Sequence, residues 1–159
     1  AQEWVNGLVN NFARSPQGGD RDQIKALAAG LCDVAIANTY YLAGMLSSKD
    51  ETTQQQAKKV KVIWPNQAGR GAHINISGIA LAKYSPNKNA AIMLIDFLLS
   101  NESQLWYATT NHEYPVLPDI AWSELMQSFG TFKAEQVPLG QLGELNAAAV
   151  KMMDRAGWK

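Results

Sequence analysis

Asp33-Val34-Ala35-Ile36-Ala37-Asn38-Thr39-Tyr40-Tyr41-Leu42-Ala43-Gly44-Met45-Leu46 is the stretch on which the fold turns. Val34 to Ala37 is a short apolar run bounded by polar residues, which predicts a buried strand. Asn38-Thr39 predicts a turn, and Tyr40 to Leu46 the opening of a helix whose free N–H groups Asn38 or Thr39 can cap. Upstream, Asp20 is placed as an N-cap with Gln23 at the capping-box position. Ile24, Leu27 and Ala28 form the apolar stripe of that helix, and Gly30 ends it. Further back, Trp4, Val5, Leu8, Val9 and Phe12 recur at helical spacing until Ser15-Pro16-Gln17-Gly18-Gly19 breaks the pattern.

Downstream, Glu51 to Lys59 is polar and helix-tolerant, while Val60, Val62 and Trp64 alternate as a strand that Pro65 stops. After a loop from Asn66 to Gly71, Ile74-Asn75-Ile76-Ser77 reads as a further strand. Pro86 leads into a helix with Ala91, Leu94, Ile95 and Leu98 on one face, and Ser100 caps the next, which holds Leu105, Trp106 and Ala108. Asn111 to Val116 is expected to be extended, because Pro115 pushes Tyr114 out of the helical region. Short helices follow around Trp122, Leu125 and Met126, and around Leu145, Ala149, Met152 and Met153, closed by Gly157. Alternating helices and strands argue for an α/β fold with mainly parallel pairing.

Composition removes several function classes. Fourteen basic side chains balance fourteen acidic ones over 159 residues, so there is no basic footprint for nucleic acid. Charged residues make up 18%, below the roughly 25% of ordinary chains, and the 47% that are hydrophobic argue against disorder and for surface that meets a partner. No apolar run approaches the roughly 20 residues that cross a bilayer, so stable membrane insertion is not expected, and any targeting segment is expected to be already gone. Cys32 stands alone, which rules out an intrachain disulfide or a thiol pair; it is expected to be buried packing. Phosphate-binding glycine loops, His-Glu-x-x-His and Gly-x-Ser-x-Gly are missing, and no nucleophile, base and orienting group assemble from nearby residues, so an enzyme is not expected.

Chemistry concentrates at Asn38-Thr39-Tyr40-Tyr41, two phenols directly after a strand and at a helix start, where ligands bind in open α/β sheets. A helix start presents free N–H groups and the positive end of the dipole, which favours phenolate over phenol. Phenolate oxygen is a hard donor suited to a hard cation such as Fe(III), once the proton has left a group of free pKa about 10. Neighbours on a regular helix diverge by about 100°, so adjacent tyrosines share one metal only in an irregular entry turn. The competing reading makes Tyr40 and Tyr41 packing residues with hydroxyls in water. Asp20 could lie near the same strand end, although its capping role is the simpler one. His73 and His112 read as satisfied structural histidines, Arg70 as a solvated loop residue, and Glu113 as a surface carboxylate beside Tyr114.

The run Gly18-Gly19-Asp20-Arg21-Asp22-Gln23-Ile24, then Gly30, then Asp33 to Leu42, strongly resembles the periplasmic ferric-iron-binding proteins that feed bacterial ABC transporters. Trp64-Pro65-Asn66-Gln67, Gly69 to Gly78, Asn111 to Val116 and the ending Met153-Asp154-Arg155-Ala156-Gly157-Trp158-Lys159 look like the same family, so the resemblance covers nearly the whole chain. It implies a periplasmic location and a type II periplasmic-binding-protein fold, two lobes closing on Fe(III), with Tyr40 and Tyr41 as ligands and an ABC permease as partner. It further implies that Asn38 and Asp20 occupy positions that contact a synergistic anion, although an aspartate there would repel one unless protonated or water-bridged.

Such proteins are about twice as long. The resemblance therefore implies that this chain is the C-terminal portion, that the N-terminal half is absent from it, and that the remaining ligands and an anion-contacting arginine precede Ala1. By that pattern residues 1–72 and about 120–159 belong to the lobe carrying the tyrosines. Residues 73–119 cross the hinge and return to the other lobe. The seam left for the missing half becomes the candidate for the partner surface, through which the piece would self-associate. Two other readings stand beside this one: a metal-free binder of small anions, and a non-catalytic interaction fragment.

Overall fold

A computed structural model describes residues 1–158; Lys159, the last residue of the ending quoted above, lies outside the described residues. The elements run α1 Gln2–Asn10, α2 Asp20–Ala28, α3 Thr39–Leu46, α4 Glu51–Ala57, α5 Lys88–Leu98, α6 Asn101–Trp106, a π-helical turn Tyr107–Asn111, α7 Glu124–Ser128 and α8 Leu139–Ala156. Every helix expected from periodicity is present. Ser100 caps α6 by accepting from the Ser103 N–H, and Gly30 and Gly157 end α2 and α8 with φ of 74° and 77°.

The start of α2 is shifted by one residue. Its N-cap is Gly19, whose N–H donates to the Asp22 carboxylate at 2.9 Å, so Asp22 rather than Gln23 closes the box. Asp20 becomes the first helical residue, and its carboxylate is left free to act elsewhere.

The three expected strands do not form a sheet. Among the described residues strand pairing is confined to one isolated parallel bridge, Ala72 to Ala134, held by Ala72 N–H to Lys133 O and Glu135 N–H to Ala72 O, both 2.8 Å. Val34 and Ile36 are 71% and 74% exposed, so the run expected as a buried strand is neither paired nor covered. The reason is that alternation and apolar runs encode a segment's fitness for a sheet, whereas a ladder also needs a neighbour whose N–H and C=O groups meet its own. Gly71 is tied to the single bridge: its φ is 98°, and a β-carbon there would stand 2.6 Å from the Lys133 carbonyl oxygen.

The core sits beneath the Asp33–Leu46 stretch. Ile24 of α2, Leu42 and Met45 of α3 and Ala57 of α4 are buried together, with Tyr41, Leu46, Val60, Val62 and Phe129 packed against them. Helices α2, α3 and α4 thus form a three-helix platform that presents the start of α3 at one edge. At the other end α1 lies on α8, joined by an edge-on Phe12–Trp158 contact and by Gln2 Nε2 donating to the Met152 carbonyl. Neither α5 nor α8 contains a buried residue, and Cys32 is half-buried rather than interior.

Candidate functional site

The turn between the Val34–Ala37 run and α3 is cross-braced. Asp20 Oδ1 accepts the Asn38 backbone N–H at 2.7 Å and lies 3.3 Å from Asn38 Nδ2. Asn75 Nδ2 donates to Asn38 Oδ1 at 3.3 Å. Asn38 occupies the N-cap position of α3 without a side-chain cap bond; its amide instead links α2 to the segment around Asn75. Asp20 and Asn38, singled out from the sequence, are therefore brought together, but as a brace behind the tyrosines rather than as part of the cleft wall.

Tyr40 and Tyr41 emerge from this braced turn with ring centroids 4.5 Å apart and planes 42° to one another, so adjacent residues do converge on one place. Tyr41 leans on the helical core, which fixes its ring. The Tyr40 phenol is harder to ionise than a free tyrosine, first through the adjacent Tyr41 hydroxyl, then through burial, the charge of Tyr41 and the negative charges of Asp20 and Glu113.

Both rings line an open cleft of about 470 Å³. One wall is Arg21, Tyr40, Tyr41, Gly44 and Ser47, and the other is Thr110, Asn111, His112 and Glu113. The second wall owes its shape to the π-helical turn Tyr107–Asn111, where the Glu113 N–H donates to the Tyr107 carbonyl at 3.2 Å and His112 takes a left-handed φ of 58°. Such turns and such backbone occur preferentially at functional sites. His112 is not the satisfied histidine expected: its Nδ1 is buried without a hydrogen-bond partner among the described residues. Glu113, expected as a surface carboxylate, faces the tyrosines. Sequence reasoning missed this wall, although Pro115 and the Asn111–Val116 motif marked the place.

Tyr114 anchors the wall from behind. Its ring meets Trp122 at 4.8 Å and Phe132 at 5.3 Å, while Trp64 stacks on Phe132 at 4.1 Å and donates its indole N–H to the Phe129 carbonyl. Burial pushes the Tyr114 phenol up to about 12, and its hydroxyl has no partner among the described residues. A phenol whose pKa is higher folded than unfolded contributes stability that is complete below pH about 10 and lost as pH rises towards about 12. Thermal melts between those limits are expected to show a falling midpoint that Tyr114→Phe flattens.

The remaining sequence candidates lie apart from the cleft. His73 and Arg70 both pair with Glu135, at 3.2 and 3.1 Å, so Arg70 is exposed but not merely solvated. Among the described residues no group of three or more His, Cys, Asp or Glu side chains converges as a metal cluster. The cleft's donors are two phenols, an imidazole and a carboxylate, a set dominated by hard oxygen.

A family model described as bacterial extracellular solute-binding protein matches residues 1–134. The chain is 44% identical over 156 residues to Iron uptake protein A1 of Synechocystis sp., spanning 98% of this chain and 43% of that protein. It superposes with a TM-score of 0.95, at 45% identity, on the Trichodesmium FutA (IdiA) structure in complex with iron and citrate. The same score, at 39% identity, relates it to a ferric binding protein from Campylobacter jejuni. In both, 99% of this chain covers 50% of the solved one, so the chain spans about half the length of these relatives.

Proposed function

The chain belongs to the bacterial extracellular solute-binding protein family, and from that premise we propose that it is the tyrosine-bearing half of a ferric-iron-binding protein. The observation that carries the reading is the convergence of Tyr40 and Tyr41 on one cleft from a turn braced by Asp20 and Asn38. Fe(III) is the cargo. Each phenol gives its proton to solvent as its oxygen bonds to the metal, and the hard, charged phenolates prefer a trivalent ion to softer competitors. Glu113 and His112 lie across the cleft, where they add negative charge and a further donor within the same space.

Residues 1–72 and about 120–159 form part of the lobe that holds the tyrosines, and residues 73–119 cross to the other lobe and supply the facing wall. The unpaired segments with exposed Val34, Ile36, Ile63, Ile74 and Ile76 are where a further half of the protein adds its strands and covers the apolar seam; alone, the piece self-associates there. That half supplies the remaining ligands. An anion such as citrate completes the coordination, the loaded protein works in the periplasm, and an ABC permease receives the iron. The protein is a carrier and performs no covalent chemistry.

The test is a titration of the full-length protein with Fe(III) offered as a weak chelate. A coloured phenolate-to-iron charge-transfer band is expected, and no band sinks the reading. Loading should weaken as pH falls, because two phenols must each lose a proton; with two phenolate ligands the apparent affinity drops by about a hundredfold per pH unit below the phenol range.

A further inference from the structure

Among the described residues lining the tyrosine cleft, Arg21 is the one permanently cationic side chain. Its Cζ lies 5.5 Å from the centroid of the Tyr41 ring, within cation–π range. It is not committed to a carboxylate: the ion pairs among the described residues join Arg70 and His73 to Glu135, on another part of the surface. Gly44, on the facing turn of α3, borders the guanidinium: a β-carbon there would stand 4.0 Å from Arg21 Nη2, an ordinary van der Waals distance. The placement follows from the brace already described. Asp20 is tied to the Asn38 N–H, so the first turn of α2 is docked on the entry of α3, and the next residue along α2 is delivered to the Tyr41 face.

We propose that Arg21 is a positioning residue of the tyrosine pair, its guanidinium holding the Tyr41 ring in the cleft and offsetting the negative charge that the ring carries once it binds the metal. The inference rests on the ferric reading above. The physical need is visible in the surroundings: Asp20 and Glu113 both set negative charge near the phenols, and among the described lining residues Arg21 carries the opposing charge. A guanidinium also suits the place better than an ammonium, because its plane can lie on the ring while its edge stays in water.

The experiment compares wild type, R21Q and R21K in the full-length protein, measuring Fe(III) affinity by chelator competition and the position of the charge-transfer band. Arg21 is exposed, so the variants are expected to fold. R21Q should lose affinity on the order of tenfold. Its band should also move to longer wavelength, because taking a cation away from the face of the Tyr41 ring raises the phenolate donor orbitals. R21K keeps the charge without the planar stack and should return the band most of the way. An R21Q protein with unchanged band and affinity overturns the inference, as does a loss of affinity with an unmoved band that lysine fails to restore. A wild-type protein with no band overturns the ferric reading itself and the inference with it, so the two failures are read from different samples.

Discussion

Phenylalanine at both Tyr40 and Tyr41 is expected to abolish the ferric charge-transfer band and to leave the fold intact. The aromatic bodies that pack remain, including the Tyr41 ring against Ile24, Leu42 and Met45, and only the two hydroxyls are removed. Loss of a group that merely supports a ligand costs about 10–100-fold in metal affinity, so each single variant should lose at least about a hundredfold and the pair should bind no better than buffer. Tyr40→Phe alone should leave a weaker band, since one phenolate still absorbs. Chelator competition and visible absorption of the full-length protein measure both effects. A double variant that keeps its band would move the iron elsewhere. The competing reading, in which both tyrosines serve packing, predicts no change in metal content at all.

Met45→Ala has the largest expected effect on stability. Met45 is 1% exposed and packs with Ile24, Leu42 and Ala57, so truncation removes buried methylenes and leaves a cavity, at a cost of roughly 2–5 kcal/mol. For a chain of this size that corresponds to a fall in melting midpoint of roughly 5–15 °C. Met93, 71% exposed on α5, is the control, and Met93→Ala should move the midpoint little. The same cavity lies under Tyr41, so the variant should also weaken iron binding, linking the platform of α2, α3 and α4 to the geometry of the cleft. A midpoint unchanged by Met45→Ala would mean that the three-helix platform is not the unit that holds the start of α3.

Helices were legible because their signals are local. The stripe Ile24, Leu27, Ala28, the cap at Ser100 and the stop at Gly157 each act within a turn or two of themselves. Even the error at α2 is local: Gly19 with Asp22 and Asp20 with Gln23 both satisfy a capping spacing, and only the hydrogen bond to Asp22 decides between them. The strand readings fared differently, because Val34–Ala37 and Val60–Trp64 advertise apolar character but a strand is defined by its neighbour, and the described residues offer one bridge, at Ala72 and Ala134.

Half of the cleft could be read and half could not. Tyr40 and Tyr41 stood out as adjacent phenols at a helix start. The wall opposite depends on a π-helical turn at Tyr107–Asn111 and a left-handed His112, neither of which has a residue signature as clear as glycine. Its anchorage joins Trp64, Tyr114, Trp122 and Phe132 across 68 positions from first to last, contacts that no periodicity encodes. Asp20 was noticed as a cap and turned out to be a brace, since freeing it from the cap lets its carboxylate reach Asn38.

The central claim is that one ferric ion sits between two adjacent phenolate oxygens. Anomalous diffraction at the iron absorption edge from crystals of the iron-loaded full-length protein tests it most directly. The account predicts a single strong peak bonded to both Tyr40 Oη and Tyr41 Oη, on the side of the cleft that Glu113 faces. A peak at other residues with both hydroxyls free, or no peak in protein that has taken up iron, would contradict it.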